Sequence, residues 1–338
     1  MKKILTKKRL TFTLTIILLL ISLTTIFVGN YFVNYALVPA NGAEEREPVA
    51  DVLPSGVAAE TETTTKIVAE TKALEDELVE EWLTETADLT EEVEITSYDG
   101  LKLRGHTFYQ EEPSDDWVVV VHGYQVNEEY MYPVAHHYYK EGYNVLSYDQ
   151  RSLGDSDGEY LTMGIKEKYD LVNWLESLLE HHPEANIVTH GQSMGSGTVL
   201  MASGLEDFPE EVVAVISDSG YSSVWDVFES ELYQRFELPA FPALHMAGLV
   251  AMPRVDINIF NEGITTEWVA QSNTPTLFIH GTADDFVPSP MVHELYDAHP
   301  TDEKGKLIVE GAGHSDSKFL EPELYYETVF SFIKQYKN

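Results

Sequence analysis

Apolar residues follow three regimes along this chain. The first is Leu10 to Val28, nineteen residues without a charge and dominated by Ile, Leu, Thr and Phe. That length spans a bilayer. Lys2, Lys3, Lys7, Lys8 and Arg9 precede it with no acid among them, which predicts an N-terminus on the cytoplasmic side. Apolar character continues in part through Tyr31, Phe32, Val33, Tyr35, Leu37 and Val38. We read residues 1–9 as a basic cytoplasmic segment and 10–38 as an uncleaved transmembrane signal-anchor. The rival is a cleaved signal peptide, whose apolar region is normally shorter, roughly seven to fifteen residues. Val38-Pro39-Ala40 would be its cleavage site and lies well beyond Val28. In either case the rest of the chain is expected outside the cytoplasmic membrane, tethered to the cell or secreted.

The second regime has little apolar pattern. Residues 39–65 are rich in Glu, Ala, Thr, Pro and Val and read as an acidic flexible stalk. Within 66–90, Ile67, Leu74, Leu78, Val79, Trp82 and Leu83 fall on one face of a helix from Lys66 to Thr84. Such a face predicts a helix packed on the main domain.

The third regime, 91–338, alternates strands and helices. Glu92–Ser97 and Leu101–Phe108 flank an Asp99-Gly100 hairpin signal. Trp117–Val121 is a continuous apolar run, the mark of a strand buried on both faces. A helix over Glu128–Glu141, a strand over Asn144–Tyr148 and a helix over Ile165–His181 follow. Further strands are expected at Asn186–His190, Val212–Ser217, Thr276–His280 and Lys306–Val309, with helices over Pro290–His299 and Glu321–Gln335. This predicts an α/β fold with a mostly parallel eight-stranded sheet and helices on both faces. Residues 219–271 break the alternation with aromatic residues and prolines, and read as a helical lid inserted at the strand-end side, where ligands bind in such sheets.

Composition narrows the function. The net charge of -36 argues against nucleic-acid binding, because a phosphate backbone would be repelled. It fits a salty or alkaline external medium that screens self-repulsion. Absence of cysteine removes disulfides, zinc–thiolate sites and a thiol nucleophile from consideration. His136-His137 and His181-His182 have no acidic partners at ligand spacing, so no metal and no cofactor is assigned.

The sharpest chemical signal is Gly191-Gln192-Ser193-Met194-Gly195, preceded by Ile187-Val188-Thr189 and followed by a small-residue helix start. Strand, sharp turn and helix with serine at the apex is a nucleophile elbow. A second copy, Gly154-Asp155-Ser156-Asp157-Gly158, lacks the strand and the helix and has two flanking aspartates. Ser193 is therefore the nucleophile candidate and Ser156 a loop residue. A serine hydroxyl needs a base to take its proton. Gly313-His314 follows the eighth strand and supplies one, while Asp284 and Asp285 follow the seventh and compete to orient it.

These pieces resemble the α/β-hydrolase superfamily. The matching segments are His122-Gly123, Asp149-Gln150-Arg151-Ser152-Leu153-Gly154, the Ser193 elbow, His280-Gly281 with Asp284 and Val287-Pro288, and Gly313-His314. The likeness is nearest to lidded bacterial serine hydrolases of the esterase and prolyl-oligopeptidase-like side, many with an N-terminal anchor. It implies a Ser193–His314–Asp284 triad, with Asp284 preferred over Asp285. It implies oxyanion donors from the backbone N–H groups of Met194 and Tyr124. Ser152 stands where the family commonly has glycine. Tyr221 and Trp225, at the start of the insertion, are candidates for the substrate pocket, and His122 and His280 are read as structural parts of their turns.

The expected activity is hydrolysis of carboxylic esters through an acyl-enzyme, with a small-molecule ester or short acyl or peptidyl substrate. The same groups cut amides, so an aminopeptidase or acylpeptide-type hydrolase is the alternative within enzymes. A non-catalytic envelope binding protein is the alternative outside them.

Overall fold

The computed structural model describes residues 2–39, 53–54 and 56–337, with side chains described from Leu10 onward. Most of the expected stalk (40–52 and 55), the side chains of the basic segment and Ala40 of the candidate cleavage site lie outside the described residues.

The first two described helices are α1 (Lys2–Leu37) and α2 (Glu62–Glu85). The sheet strands are β1 (Thr90–Thr96), β2 (Lys102–Phe108), β3 (Asp116–Val121), β4 (Asn144–Tyr148), β5 (Asn186–Gln192), β6 (Val212–Asp218), β7 (Thr276–Gly281) and β8 (Lys304–Val309). They form one eight-stranded sheet in the order β1-β2-β4-β3-β5-β6-β7-β8. β1 and β2 pair antiparallel, β2 joins β4 antiparallel, and every later pairing is parallel. This is the α/β-hydrolase fold.

The pleat of β3 explains the layering. Val118 and Val120 join a core with α3 (Tyr132–Lys140) and α10 (Pro322–Tyr336), whereas Trp117, Val119 and Val121 join another with α4 (Glu167–His181), α5 (Met194–Ala202) and α9 (Met291–Ala298). Alternate side chains point to opposite faces, so a strand covered on both sides must be apolar throughout. A third core lies under the insertion, whose helices are α6 (Val224–Phe236), α7 (Ala240–Val255) and α8 (Thr265–Val269).

Three segments differ from the sequence expectations. The helix expected over Glu128–Glu141 is a 3-10 turn at Glu128–Met131 followed by α3, because Pro133 has no N–H to donate and fits only a first helical turn. Helix α2 starts at Glu62, four residues into the expected stalk. Thr61 and Thr64 exchange side-chain-to-backbone hydrogen bonds of 3.1 and 3.0 Å there and close a capping box.

The third difference concerns α1. Apart from the half-buried Thr25, its positions Leu10–Phe27 are exposed, whereas Gly29, Val33 and Leu37 are buried against the insertion. The helix is long and apolar enough to cross a membrane, but its last turns belong to the third core. The anchor read as 10–38 therefore divides into a free apolar part and a packed part.

Candidate active site

Strand β5 runs straight into Ser193, whose φ of 55° and ψ of −116° put a non-glycine residue in a strained conformation before α5 begins. A Cβ at Gly191 would collide with the Gly195 backbone, and one at Gly195 with the Val121 carbonyl oxygen. Only glycine lets the turn close this tightly. The strain is held by packing and by the Ser193 N–H, which donates to the Asp218 carbonyl at 2.9 Å.

Loops after β7 and β8 bring two further groups to this serine. His314 Nε2 is 2.8 Å from Ser193 Oγ, and its Nδ1 is 2.8 Å from Asp284 Oδ2. Asp284 is fully buried, and Oδ1 accepts the backbone N–H groups of Phe286 at 3.1 Å and Val287 at 2.8 Å. His280 Nε2 lies 3.0 Å from Oδ2. With Asp284 ionised, Nδ1 of His314 carries the proton and Nε2 presents its lone pair to the serine hydroxyl. The chemistry open to this chain is proton removal from Ser193 as its oxygen attacks.

Electrostatics support those protonation states. Burial alone would raise the Asp284 pKa, but the neighbouring His314 and the hydrogen bonds from His280 and His314 outweigh it and hold the carboxyl well below its usual range. Burial works against protonating His314, yet the Asp284 carboxylate, and more weakly Asp218 and Asp316, raise its pKa.

Beneath the site lies a buried polar network that the sequence reading missed. Lys318 Nζ donates to Gln192 Oε1 and to the Ser315 carbonyl, each at 2.7 Å, and stands 3.7 Å from Asp218 Oδ2. Asp218 also accepts the Tyr325 hydroxyl at 2.9 Å and Ser219 Oγ at 3.1 Å, and Ser219 Oγ accepts the Ser315 N–H at 3.1 Å. The loop that carries His314 is thereby fixed to the ends of β5 and β6. A lysine four residues after His314 gave no signal, because its partners Asp218 and Gln192 lie 100 and 126 positions away. His280 was placed in its turn but not linked to Asp284.

The other candidates separate cleanly. Met194 opens α5, so its N–H is one of the first-turn groups without a partner inside the helix. The loop after β3 passes against Ser193: a Cβ on Gly123 would sit 3.3 Å from Ser193 Cβ. Gly123, Tyr124, Gln192, Ser193, Phe286 and His314 share a cavity of about 190 Å³. The Tyr124 hydroxyl reaches away from it and donates to the Ala36 carbonyl in α1 at 2.9 Å.

Tyr221 and Trp225 need correction as pocket residues. Tyr221 is buried under α5, donates to the Met163 carbonyl at 2.8 Å and fills the space that Gly197 leaves. Trp225 packs its ring on Phe260 and His245 within the insertion. Neither lines the cavities beside Ser193, whose outer walls come instead from Val227, Phe228 and Leu232, one to two helical turns further on, and from α1.

Ser156 donates to the Asp149 carbonyl at 2.7 Å and accepts the Arg104 N–H at 2.9 Å, which makes it a loop tie. Ser152 takes the left-handed conformation, φ 68°, that the usual glycine would supply. His122 is buried, its Nε2 accepts the Gln150 N–H at 2.9 Å, and burial lowers its pKa to about 4. Among the described residues no group of three or more His, Asp or Glu side chains is placed to hold a metal ion.

Comparison with known proteins agrees with this architecture. Residues 116–244 match the family model for the α/β hydrolase fold. The chain is 28% identical over 243 residues to the uncharacterized protein YqkD of Bacillus subtilis, covering 71% of this chain and 77% of that one. It is 24% identical over 247 residues to an uncharacterized membrane protein of Saccharomyces cerevisiae, covering 72% and 79%. Among solved structures, an esterase of Pyrococcus furiosus superposes with a TM-score of 0.60 at 28% identity, covering 74% of this chain and 92% of that one. The chain has the α/β-hydrolase fold, and the match to that fold's family model spans β3 to the start of α7.

Proposed function

We propose that the protein is a membrane-tethered serine hydrolase of carboxylic esters whose catalytic domain lies outside the cytoplasm. The observation that carries the reading is the unbroken chain from Ser193 Oγ through His314 to Asp284, with both links at 2.8 Å. His314 Nε2 takes the Ser193 proton while Oγ bonds to the ester carbonyl carbon. The negative charge that develops on the carbonyl oxygen is received by the Met194 and Tyr124 N–H groups. Protonated His314 then gives its proton to the alkoxide as the ester C–O bond breaks, so the alcohol departs and the acyl group stays on Ser193. Water, deprotonated by the same Nε2, attacks the acyl carbon, and the proton returns to Ser193 as the acid leaves.

Likeness to a solved esterase at 28% identity supports ester over amide. The apolar exposed part of α1, and a relative described as a membrane protein, support the tether. The test is turnover by the full-length protein in detergent, with p-nitrophenyl butyrate and an aminoacyl p-nitroanilide as substrates. Ester turnover that is lost in Ser193→Ala is expected. Preferential cleavage of the anilide would move the assignment to a peptidase.

A further inference from the structure

The last turns of α1 are built into the catalytic domain rather than leading up to it. Gly29 lies so close to α7 that a Cβ there would run into the Met246 carbonyl oxygen and Val250 Cγ2. Arg254 of α7 spans Asn30 and Asn34, donating to their side-chain oxygens at 2.7 and 2.6 Å. Tyr31, Phe32 and Tyr35 surround the ring of Phe236, with centroid distances of 6.4, 5.3 and 5.0 Å. The Leu37 carbonyl accepts the Leu161 N–H at 3.0 Å, and the Ala36 carbonyl holds Tyr124. A flexible tether would need none of these contacts.

Between this part of α1 and the insertion lies a cavity of about 250 Å³. Phe32, Val33 and Leu37 form one side, and Val227, Leu232 and Ala247 the other. Among the described residues its charged lining residues are Glu231 and Arg235, which pair with each other at 3.0 Å, so neither meets an entering hydrocarbon as a lone charge. The cavity adjoins the one at Ser193: both are lined by Tyr124 and Phe286, and the Phe286 ring is 4.9 Å from that of His314.

Position relative to a bilayer follows from α1 itself. Its free apolar part, Leu10–Phe27, is about 27 Å long at 1.5 Å per residue, close to the roughly 30 Å of a hydrocarbon core. The membrane surface therefore falls near Val28, and Phe32 stands only about 6 Å further along the same helix. On the insertion, Phe241 and Leu249 are exposed at 71% and 54%, apolar surface that suits a lipid interface better than water.

We propose that the C-terminal turns of α1 are a wall of the acyl-binding site, and that the cavity takes the hydrocarbon chain of a lipid ester entering from the adjacent bilayer leaflet. This rests on the serine-hydrolase reading for the bond that is cut, but not for the binding of the chain. Removal of α1 by cleavage near Ala40 would open the site, so the anchor is retained in the active enzyme.

The test uses full-length protein in lipid nanodiscs, with p-nitrophenyl butyrate and dodecanoate as paired substrates. Each methylene that enters the cavity should raise kcat/KM roughly three- to fourfold until the space is filled. The dodecanoate-to-butyrate ratio should then exceed one hundred. It should fall at least tenfold in Ala36→Phe and in Ala247→Phe, which fill the cavity from opposite sides. In Leu232→Ala, which enlarges it, the optimum should move to longer chains. On a Ser193→Ala background, fluorescence of cis-parinaric acid should report binding that Ala36→Phe and Ala247→Phe weaken. A wild-type ratio near one, or a ratio unmoved by both filling variants, would overturn the proposal while leaving the hydrolase standing. Parinaric acid binding with no turnover of any ester would keep the acyl site and remove the hydrolase. Two arms separate the sources, dioleoylglycerol embedded in the disc and dodecanoylcholine supplied from solution. Preference for the soluble ester would refute entry from the bilayer.

Discussion

Replacement of Asp284 by asparagine should silence the enzyme through a tautomer change, and the structure says which way the amide must face. Oδ1 of Asp284 accepts two backbone N–H groups, from Phe286 and Val287, which cannot turn away. Oδ2 faces two imidazoles, His314 and His280. In Asp284→Asn the amide carbonyl stays with the backbone donors, and the NH₂ group meets the two rings. His314 must then accept at Nδ1, which leaves the proton on Nε2, where it blocks proton transfer from Ser193. Loss of the correct tautomer in a serine–histidine–aspartate site costs about 10⁴ in kcat, or about 5.4 kcal/mol at 1.36 kcal/mol per tenfold. His280 also lies 2.9 Å from the Val287 carbonyl. Its turned tautomer gives up that hydrogen bond at a cost of about 1 kcal/mol in stability. The assay is steady-state ester hydrolysis at pH 8 by wild type, Asp284→Asn and Asp285→Asn, with urea unfolding of each. Asp285 is only half-buried, and its variant should stay within about twofold of wild type, as surface substitutions usually do. More than a tenth of wild-type kcat in Asp284→Asn, or an equal loss in Asp285→Asn, would refute the argument.

Further outcomes follow from the same groups. Because the His314 pKa is raised, kcat/KM should climb with pH along a limb whose midpoint lies above the ordinary imidazole value of about 6.5; a midpoint below 6 would contradict the pairing. For stability the signs oppose. The His314 contribution is full below its unfolded pKa and is lost as pH rises through the folded value. That of Asp284, whose pKa is lowered, is present above its unfolded pKa and is lost as pH falls through the folded one. Lys318→Met should destabilise the domain by about 3 kcal/mol in urea unfolding, because it leaves the buried Asp218 carboxylate without its cation; an unchanged midpoint would show that Tyr325 and Ser219 suffice. The net charge of -36 predicts that the melting temperature rises with NaCl as self-repulsion is screened, and a fall would reverse that reading.

The parts of this architecture that were legible in the sequence are those written in local chemistry. Uninterrupted β-branched runs mark β3 and β5, and glycines two positions either side of Ser193 mark the only turn whose flanks allow an elbow. His314 and Asp284 stand in loops after strands, where order along the chain could locate them. What was missed depends on contacts between distant segments. Arg254 reaches Asn30 and Asn34 across more than two hundred residues, so the division of α1 into free and packed parts could not be read from hydropathy. Two asparagines at i and i+4 inside an apolar run, Asn30 and Asn34, were a signal of it, since an amide set in hydrocarbon without a partner is costly. Tyr221 was misread because an aromatic residue at the start of an insertion looks alike whether it fills the core or lines a cavity. Pro133 could have divided the helix at Glu128, being tolerated only in a first turn.

The central claim is that Ser193 is an activated nucleophile. The most direct measurement is reaction of the full-length protein with a fluorophosphonate, followed by mass mapping of the labelled peptide in wild type, Ser193→Ala and Ser156→Ala. The account predicts label on Ser193 in wild type and in Ser156→Ala, and none in Ser193→Ala. Label on Ser156, or no label on folded wild-type protein at low and high salt, would contradict it.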